Sequence, residues 1–484
     1  MADRVAFRGR VTLARTLSLP IALSLGACSM APDYQPPQTA APAQFKEIAG
    51  WTMAAPRDGE GSGAWWNAYA DPTLADLESR AAKASPTLAA ALARYDAARA
   101  AARVERSDLF PQVGVSGQAS RERLSENRPL STGTAREYSD YTVGGSIDYE
   151  LDLWGRIRNQ VKAAGAESDA SRADLASAQL SLQAAVADAY FRLRGLDAQA
   201  QVLDQSVEAF ARAYDLTSKR HDGGVASGID VNRARTVLGN ARAQVATIAN
   251  QRAATEHEIA ALVGEVASGF TLPVAVDDFA PPAPPAATPS DLLQRRPDIA
   301  AAERRVFAAN ARIGVAKAAF FPSLTLGAAG GWETTNGQLL TTPNTFWSLG
   351  PLTSLLTIFD GGRRSAQVKI SRAEYEEVAA NYRETVLTAF RQVEDAVAAM
   401  HHLSSAAVAQ KEASDAAQRT RDIAMSRYRD GAAGYLDVVT AQTDALDAQR
   451  AYISVQTQRM QASVAFVKAL GGGAEAPLAV SAGD

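Results

Sequence analysis

The chain has 484 residues, enough for two or three ordinary domains, with 47% hydrophobic residues, 21% charged residues and a formal net charge of −4 at pH 7. This near-neutral charge argues against a nucleic-acid-binding protein, which needs a basic surface to neutralise phosphates. After the first 27 residues no apolar run reaches 18 residues, so no transmembrane helix is predicted and a membrane role would have to come from strands.

The N-terminus has the organisation of a secretory signal peptide over residues 1–27. Four arginines, the last of them Arg15, precede a short apolar stretch from Leu17 to Leu25. Cys28 follows at once and is the only cysteine of the chain, so it cannot form an intramolecular disulfide. A lone thiol at this place predicts the acylated first residue of a bacterial lipoprotein, the alternative being an unmodified cysteine. Since Ser29 follows rather than aspartate, similarity to bacterial lipoproteins in general predicts transport to the outer membrane.

The rest of the chain contains a tandem repeat. Matching residues are 211 positions apart near the start of each half and 207 apart later. The pairs are Pro86 and Pro297, Phe110 and Phe321, Gly155 and Gly362, Asp188 and Asp395, and Gly264 and Gly471. A four-residue difference in length therefore falls between Pro111 and Gly155.

The repeat predicts the division of the chain into segments. After the signal peptide come a lipidated extended segment at 28–65, a first repeat at 66–264, a proline-rich linker at 265–296, a second repeat at 297–471 and a tail at 472–484.

Each half begins with a helix that is followed by amphipathic strands. In the first half, Ser85 and Pro86 form a favourable helix start, and Pro111 ends the helix. Residues 141–152 then alternate between apolar and polar side chains, as in a strand with one apolar face. The apolar set is Tyr141, Val143, Gly145, Ile147, Tyr149 and Leu151. In the second half residues 345–358 alternate poorly, although a strand is expected there from the repeat.

Very long helices follow the strands. Apolar residues recur every seven positions over more than five heptads, which is typical of a coiled coil. In the first half this seam is Leu175, Leu182, Ala189, Leu196, Leu203 and Phe210. A helix from Gly155 to about Lys219 would be roughly 100 Å long, more than the roughly 60 Å diameter of a compact globule of this size. An elongated molecule is therefore predicted.

Four amphipathic strands per chain cannot close a barrel, and an open edge in hydrocarbon leaves unpaired backbone groups. Three chains supply twelve strands, which is enough for a closed wall. The predicted fold is therefore mostly α with a small β part. Long antiparallel coiled-coil helices and four strands per protomer would form a trimeric twelve-stranded barrel that continues into a helical tunnel.

Two adjacent stretches of the second half identify a family. Residues 291–305 read DLLQRRPDIAAAERR, and residues 309–324 read ANARIGVAKAAFFPSL. Both are similar to the signature of the outer-membrane efflux protein family, and the chain resembles the lipoprotein branch of its TolC-like channels, often called NodT-type. The resemblance implies a homotrimer, a periplasmic tunnel closed at its tip, and an equatorial belt.

The same resemblance implies partners and a role. The expected partners are outer-membrane lipid, a periplasmic adaptor protein and an inner-membrane transporter, expected to be of the resistance-nodulation-division (RND) type. The expected role is a passive exit duct for small molecules such as drugs. Two alternatives remain open: an outer-membrane duct for protein secretion of type I, and a non-conducting coiled-coil lipoprotein that spaces the envelope.

The predicted gate lies where each pair of long helices reverses direction. By motif position, the apolar ring of related channels falls on Leu436, and the acidic ring falls on Thr440, which is not acidic. Asp437 is the alternative acidic residue. The equivalents in the first half are Ile229, Asp230 and Arg233, and the tips predicted to contact the adaptor are Gly224, Val225 and Gly431. A purely structural interpretation assigns Asp230 and Asp437 to helix N-caps.

The remaining candidates are weaker. Asp148, Glu150 and Asp152 belong to the polar set of the alternating stretch 141–152, so they are predicted to face the lumen of the barrel. The alternative is that they are solvated charges at the barrel mouth. His401 and His402 are adjacent on a predicted helix and therefore form a poor chelate. No nucleophile-base pair or cluster of metal ligands is evident, so the chain is predicted to be neither an enzyme nor a cofactor protein, apart from the lipid.

Overall fold

The computed structural model describes residues 29–37, 46, 64–127, 136–276, 280–282, 296–338 and 340–472. The predicted signal peptide, Cys28, residues 291–295 of the family signature and the tail from residue 473 lie outside the described residues. None of the helices in these ranges is long and apolar enough to cross a membrane.

Apart from the first helix, the described residues form helices and strands in the same order in each half. They are α1 (Pro72–Ala84), α2 (Pro86–Ser107), β1 (Gln112–Leu124), β2 (Arg136–Glu150), α3 (Arg156–Asp222), α4 (Gly228–Leu262), α5 (Pro297–Ala318), β3 (Ser323–Thr334), β4 (Thr345–Leu355), α6 (Arg363–Arg429) and α7 (Tyr435–Ala469). The long helices α3 and α6 each have 67 residues, and the returning helices α4 and α7 each have 35. The two halves therefore repeat at the level of structure.

Helix α1 was not predicted from the sequence. Its N-cap is Asp71, whose carboxylate accepts hydrogen bonds from the backbone N–H groups of Thr73 at 2.8 Å and Leu74 at 3.1 Å. Pro72 occupies the first helical position, where its fixed φ favours a helix. The pair Asp71-Pro72 is thus a start signal of the same kind as Ser85-Pro86.

The chain divides into two compact units. The first contains residues up to 37, 95–171 and 302–382, and the second contains 38–94, 172–301 and 383–484.

The first unit contains a four-stranded antiparallel sheet in the order β1-β2-β3-β4. Strand β2 joins the two halves, because it pairs with β1 on one side and with β3 on the other. Among the described strands, β1 and β4 are therefore edge strands. Large apolar side chains on both are highly exposed, including Val115 at 85% and Trp347 at 82%.

A bulge in β4 explains why residues 345–358 alternate poorly. Leu326 pairs with Leu352, but Ala328 pairs with Leu349, so β4 contains one extra residue between these pairs. Paired residues face the same side of a sheet, so the bulge places Leu349 and Leu352 on one face although they are three residues apart. The strand in the second half is therefore real, and a single inserted residue hides its period.

The second unit contains the coiled-coil core. All six residues of the predicted heptad seam of α3 are buried. Leu182 and Ala189 of this seam pack with α1 and with the end of α4. Further along, Leu203 and Phe210 pack with Leu238, Ala241 and Ile248 of α4. The predicted seam is therefore confirmed.

A buried ion cluster fixes the segment that follows the first half. Asp197 of α3 accepts hydrogen bonds from Arg194 at 2.9 Å and Arg252 at 2.7 Å, and its side chain is fully buried. The two arginines in turn donate to the backbone carbonyls of Pro273 and Leu272, each at 2.8 Å. The cluster therefore satisfies backbone groups of a segment that has no regular secondary structure of its own.

The same cluster is missing from the second half. The repeat equivalents of Arg194 and Asp197 are His401 and Ser404. Only the first half is followed by a segment that connects it to another repeat, so only the first half needs residues that hold such a segment.

Replacing Asp197 by alanine should lower the free energy of unfolding by about 3 to 5 kcal/mol, because it leaves two arginines partly or fully buried without their carboxylate. Chemical unfolding of the purified protein in detergent measures the change. The matched control is Glu208→Ala on the same helix, whose exposed pair with Arg212 should contribute about 0 to 1 kcal/mol. Equal effects of the two substitutions would contradict a special role for Asp197.

Glu78 is an unusual member of the core. It lies on the buried side of α1 with Leu74, Leu77 and Ala81, and is only 1% exposed. Neither carboxylate oxygen has a hydrogen-bond partner among the described residues. Burial therefore raises the pKa of Glu78 from 4.5 to about 9, because the charged form loses its hydration. At neutral pH the folded protein holds this side chain protonated.

This shift makes stability depend on pH. The pKa is higher in the folded state, so the stabilising contribution is complete below pH 4.5 and is lost as pH rises through 9. Glu78→Gln, which is never charged, should remove this decline, while Asp76→Asn on the exposed side of α1 should leave it unchanged. Thermal unfolding at pH 5, 7 and 9 tests this, and the same pH slope in Glu78→Gln and wild type would contradict it.

Candidate functional site

The two helical reversals predicted to form the gate and tips both lie in the second unit. Helix α3 passes to α4 through residues 223–227, and α6 passes to α7 through 430–434. Gly224 and Gly431 have positive φ angles of 75° and 76°, which explains the glycine at both positions. The turns close in the same way, with Val225 N–H donating to Arg220 O and Ala432 N–H donating to Arg427 O, each at 2.8 Å.

The N-cap assignment of Asp230 and Asp437 is wrong by three residues. The N-caps are Ser227 and Gly434, and the two aspartates are the third helical residues. The Asp437 carboxylate accepts a hydrogen bond from Gly434 N–H at 3.2 Å, and Asp230 accepts one from the Ser227 hydroxyl at 3.0 Å. A carboxylate at this position can reach back to the free donor at the N-cap, so both aspartates have a structural role.

An arginine clamp joins the two reversals. The Arg220 guanidinium donates a 2.7 Å hydrogen bond to Tyr428 O and lies 4.6 Å from the centre of the Tyr428 ring. The Tyr428 hydroxyl lies 3.2 Å from Thr217 Oγ1, and its ring packs edge-to-face on Tyr435. Arg220 lies in the last turn of α3, where a cation also favours the helix C-terminus. The repeat equivalent of Tyr428 is His221. In this contact the arginine therefore belongs to the first half and the tyrosine to the second.

Three of the predicted gate residues lie together. Ile229 and Arg233 of α4 and Leu436 of α7 line one open depression of about 470 Å³. The remaining wall residues are Asn232, Thr236, Val237 and Val439. Both large apolar side chains are accessible, Ile229 being 64% and Leu436 53% exposed.

The polar gate candidates have local partners. Arg233 lies 3.8 Å from the Asp230 carboxylate, and the Thr440 hydroxyl donates to Leu436 O at 3.0 Å on its own helix. At the tips, Gly224, Val225 and Gly431 are all exposed, Val225 at 71%. The depression is therefore lined mostly by apolar atoms, with charge at its edge.

The predicted acidic face of the strand ribbon needs correction. Strand β2 ends at Glu150, so Asp152 is not a strand residue. Its carboxylate instead accepts hydrogen bonds from the backbone and side chain of Arg158 at the start of α3. Glu150 forms a two-point ion pair with Arg156 at 2.9 and 2.7 Å. Of these three carboxylates, only Asp148 is an exposed residue of β2, and the other two bind the arginines at the start of α3.

Sequence reasoning missed a seat for the segment that follows Cys28. In the first unit, Ser29 Oγ donates to Asn159 Oδ1 at 3.0 Å, and Asn310 donates to Pro32 O at 2.8 Å. The Tyr34 hydroxyl donates to Glu303 at 2.6 Å. A Cβ added at Gly314 would lie 2.7 Å from Ala31 N, so only glycine admits the segment.

The sequence carries only one side of this seat as a recognisable pattern. Glu303, Asn310 and Gly314 all belong to the two signature stretches, and they are among the residues that bind the N-terminal segment. A carboxylate, an amide and a glycine at intervals of seven and four residues share one face of α5. Their spacing indicated a contact surface, though not its occupant.

The described residues offer no metal site. Within these ranges no group of three histidine, cysteine, aspartate or glutamate side chains is arranged to hold an ion. His401 and His402 pack against each other with ring centres 5.1 Å apart, and Met400 is buried.

Known proteins share this architecture. The chain matches the Outer membrane efflux protein family over residues 77–265 and 288–472. It is 34% identical to the antibiotic efflux pump outer membrane protein ArpC of Pseudomonas putida, over 94% of this chain and 95% of that protein. It is 33% identical to the pyoverdine export outer membrane protein OpmQ of Pseudomonas aeruginosa, over 93% and 95%. The outer-membrane channel OprN has a TM-score of 0.86 and 32% identity, over 92% of this chain and 99% of that one.

These similarities confirm the predicted family and the mostly helical fold with a small sheet. They also confirm the prediction that the chain is not an enzyme, since the family consists of transport proteins. The chain belongs to the outer membrane efflux protein family and is an outer-membrane component of an efflux pump.

Proposed function

We propose that three copies of this chain close into one channel, whose sheet crosses the outer membrane and whose helices form the periplasmic duct. The observation that carries the proposal is the pair of unpaired edges, β1 and β4, in a sheet with highly exposed apolar side chains. In hydrocarbon each unpaired backbone group costs several kcal/mol, so the edges must find partners. Three four-stranded sheets supply the twelve strands of a closed barrel.

The proposed gate is the depression at the reversals. Leu436 and Ile229 form its apolar part, and Asp230, Arg233, Asp437 and Thr440 lie around it. Apolar side chains that converge on a narrow aperture exclude water and ions by dewetting. The Arg220 clamp supports this assignment, since it holds the two reversals together and so keeps the aperture narrow.

The proposed partners meet the channel at its exposed tips. Gly224, Val225 and Gly431 offer backbone and one apolar side chain to a periplasmic adaptor, which links the channel to an inner-membrane transporter of the RND type. The proposed cargo is small molecules, because relatives are named for the efflux of antibiotics and the export of pyoverdine. Those names give no support to the alternative of a protein-secretion duct.

Cys28 is the proposed site of lipid attachment. The next residue, Ser29, donates a hydrogen bond to Asn159 in the first turn of α3, close in sequence to the end of β2. A lipid on the preceding residue would thus start beside the end of the sheet, where a bilayer surface is expected. Each buried methylene contributes roughly 0.8 kcal/mol, so two or three acyl chains hold the anchor firmly.

Leu436→Ala should raise the single-channel conductance of the purified protein in planar bilayers several-fold, because a smaller side chain widens the apolar constriction. Val408→Ala on α6 removes an apolar side chain of similar exposure far from the reversals and should leave the current unchanged. An equally low current in wild type and Leu436→Ala, with a correctly assembled particle, would remove Leu436 from the gate.

Cys28→Ser should abolish the incorporation of labelled fatty acid in cells but leave the number of chains in the assembled particle unchanged, since the anchor lies outside the sheet. Mass spectrometry of the N-terminal peptide and native gels give the two measurements. Ser29→Ala is the control, because it changes the neighbouring residue and retains the thiol. Continued labelling of Cys28→Ser would contradict the assignment, and loss of the particle would contradict a purely anchoring role.

A further inference from the structure

We propose that β4 pairs with β1 of a second copy of this chain in one defined register, in which Thr353 lies opposite Gln118 of the partner subunit. In the same register Ser354 lies opposite Gly117 of the partner subunit. This inference rests on the proposed trimer and goes beyond it, because closure alone does not determine which residues meet.

The junction between β2 and β3 provides the template. Strands β1 and β2 belong to the first half of the duplicated chain, and β3 and β4 belong to the second. In a ring of three copies the first and second halves alternate around the barrel, so there are six junctions between neighbouring halves. Three of these junctions are β2–β3 within a chain, and the other three are β4–β1 between chains. The observed register at the first kind of junction therefore predicts the register at the second.

The observed pairs show which residues correspond. Gly114 pairs with Ser146, and Thr325, which lies 211 positions after Gly114, pairs with Thr353. Thr353 is therefore the structural equivalent of Ser146.

The partner side follows in the same way. Ser146 pairs with Ala329 across the β2–β3 junction, and the residue 211 positions before Ala329 is Gln118. When Ser146 is replaced by its equivalent Thr353, and Ala329 by its equivalent Gln118, Thr353 lies opposite Gln118 of the partner subunit. The neighbouring pair Ile147 and Ala328 gives Ser354 opposite Gly117 of the partner subunit.

The two faces of the sheet agree with this register. Leu352 shares a face with Leu326, to which it is paired, and lies opposite Ala119 of the partner subunit in the proposed register. Ala119 pairs with Tyr141 and so belongs to the same apolar face. A shift by one residue would exchange the faces, so only even shifts compete. Among the registers that differ by an even number of residues, the duplication selects the one that matches the β2–β3 junction.

The bulge shifts the register by one residue over residues 345–349 of β4, which form the part of the strand above the bulge. Above the bulge, Leu349 corresponds to Val143 rather than Thr142, because Ala328 pairs with Leu349 and its equivalent Gly117 pairs with Val143. Val143 pairs with Trp332, so Leu349 is expected opposite Arg121 of the partner subunit. Trp347 is then expected opposite Arg123 of the partner subunit, an arrangement that permits a cation–π contact.

Disulfide cross-linking of the full-length protein tests the register. Directly opposed Cβ atoms are about 4.5 to 5.5 Å apart, whereas positions two residues away are about 7 to 8 Å apart, beyond disulfide reach. The matched double variants are Thr353→Cys with Gln118→Cys and Ser354→Cys with Gly117→Cys. Opposed pairs alternate between wide and close spacing, so one of these two neighbouring pairs is of the close type. A Cβ at Gly117 meets only Val143 at 3.8 Å, an ordinary contact.

The shifted double variants are Thr353→Cys with Ser116→Cys and Thr353→Cys with Ser120→Cys. After mild oxidation in membranes, at least one matched pair should give covalent dimers and trimers on denaturing gels, at least tenfold more than either shifted pair. Native mass of each variant confirms assembly before oxidation.

Preferential cross-linking of a shifted pair would overturn the register while leaving the trimer intact. A trimer that cross-links in none of the four variants would overturn pairing through these edges. A monomeric particle would refute the proposed assembly itself, so the two failures are distinguishable.

Discussion

Backbone hydrogen bonding at the edges of one small sheet is the constraint on which the rest of this molecule depends. The sheet has only four strands, and the outer edges of β1 and β4 are unpaired among the described residues. Water satisfies such edges in solution, but hydrocarbon does not. An outer-membrane protein with this sheet needs further copies of itself, and that need accounts for the exposed apolar side chains on β1 and β4.

The tandem duplication gives each chain two similar halves. Where equivalent residues differ between the halves, they have different structural roles. Asp197 and Arg194 hold the segment between the halves, whereas their equivalents are Ser404 and His401. Tyr428 receives the Arg220 clamp, whereas its equivalent is His221. In each case a residue in one repeat meets a neighbour that the other repeat lacks. The repeat supplies the framework, and these differences make the two halves complementary.

Local sequence patterns predicted the parts of the fold that depend on local patterns. The heptad seam through Leu196 and Leu203 identified the coiled coil, because burial on one face requires that period. Gly224 and Gly431 marked the reversals, because a left-handed residue is needed there. The aspartates Asp230 and Asp437 were misplaced by three residues, since a carboxylate at the third helical position serves the same end of the helix as an N-cap.

Other features depend on residues that are distant in sequence and could not be predicted. The seat of the N-terminal segment joins Ser29 to Asn159 and Pro32 to Asn310, and no local pattern reveals such pairings. The bulge in β4 hid the alternation of a strand that only the repeat predicted, because one inserted residue shifts that alternation by one position. The gate candidates Ile229 and Leu436 were found by motif and repeat, but their shared depression is visible only in the structure.

The central claim is that the outer edges of β1 and β4 become paired with each other when copies of the chain assemble. Amide hydrogen exchange of the purified particle, measured together with its native mass, tests this claim most directly. We expect a mass of three chains, with the outward-facing amides of β1 and β4 exchanging as slowly as the amides of β2 and β3. A particle of one chain, or a trimer in which these outward-facing amides exchange within seconds while β2 and β3 remain protected, would contradict the claim.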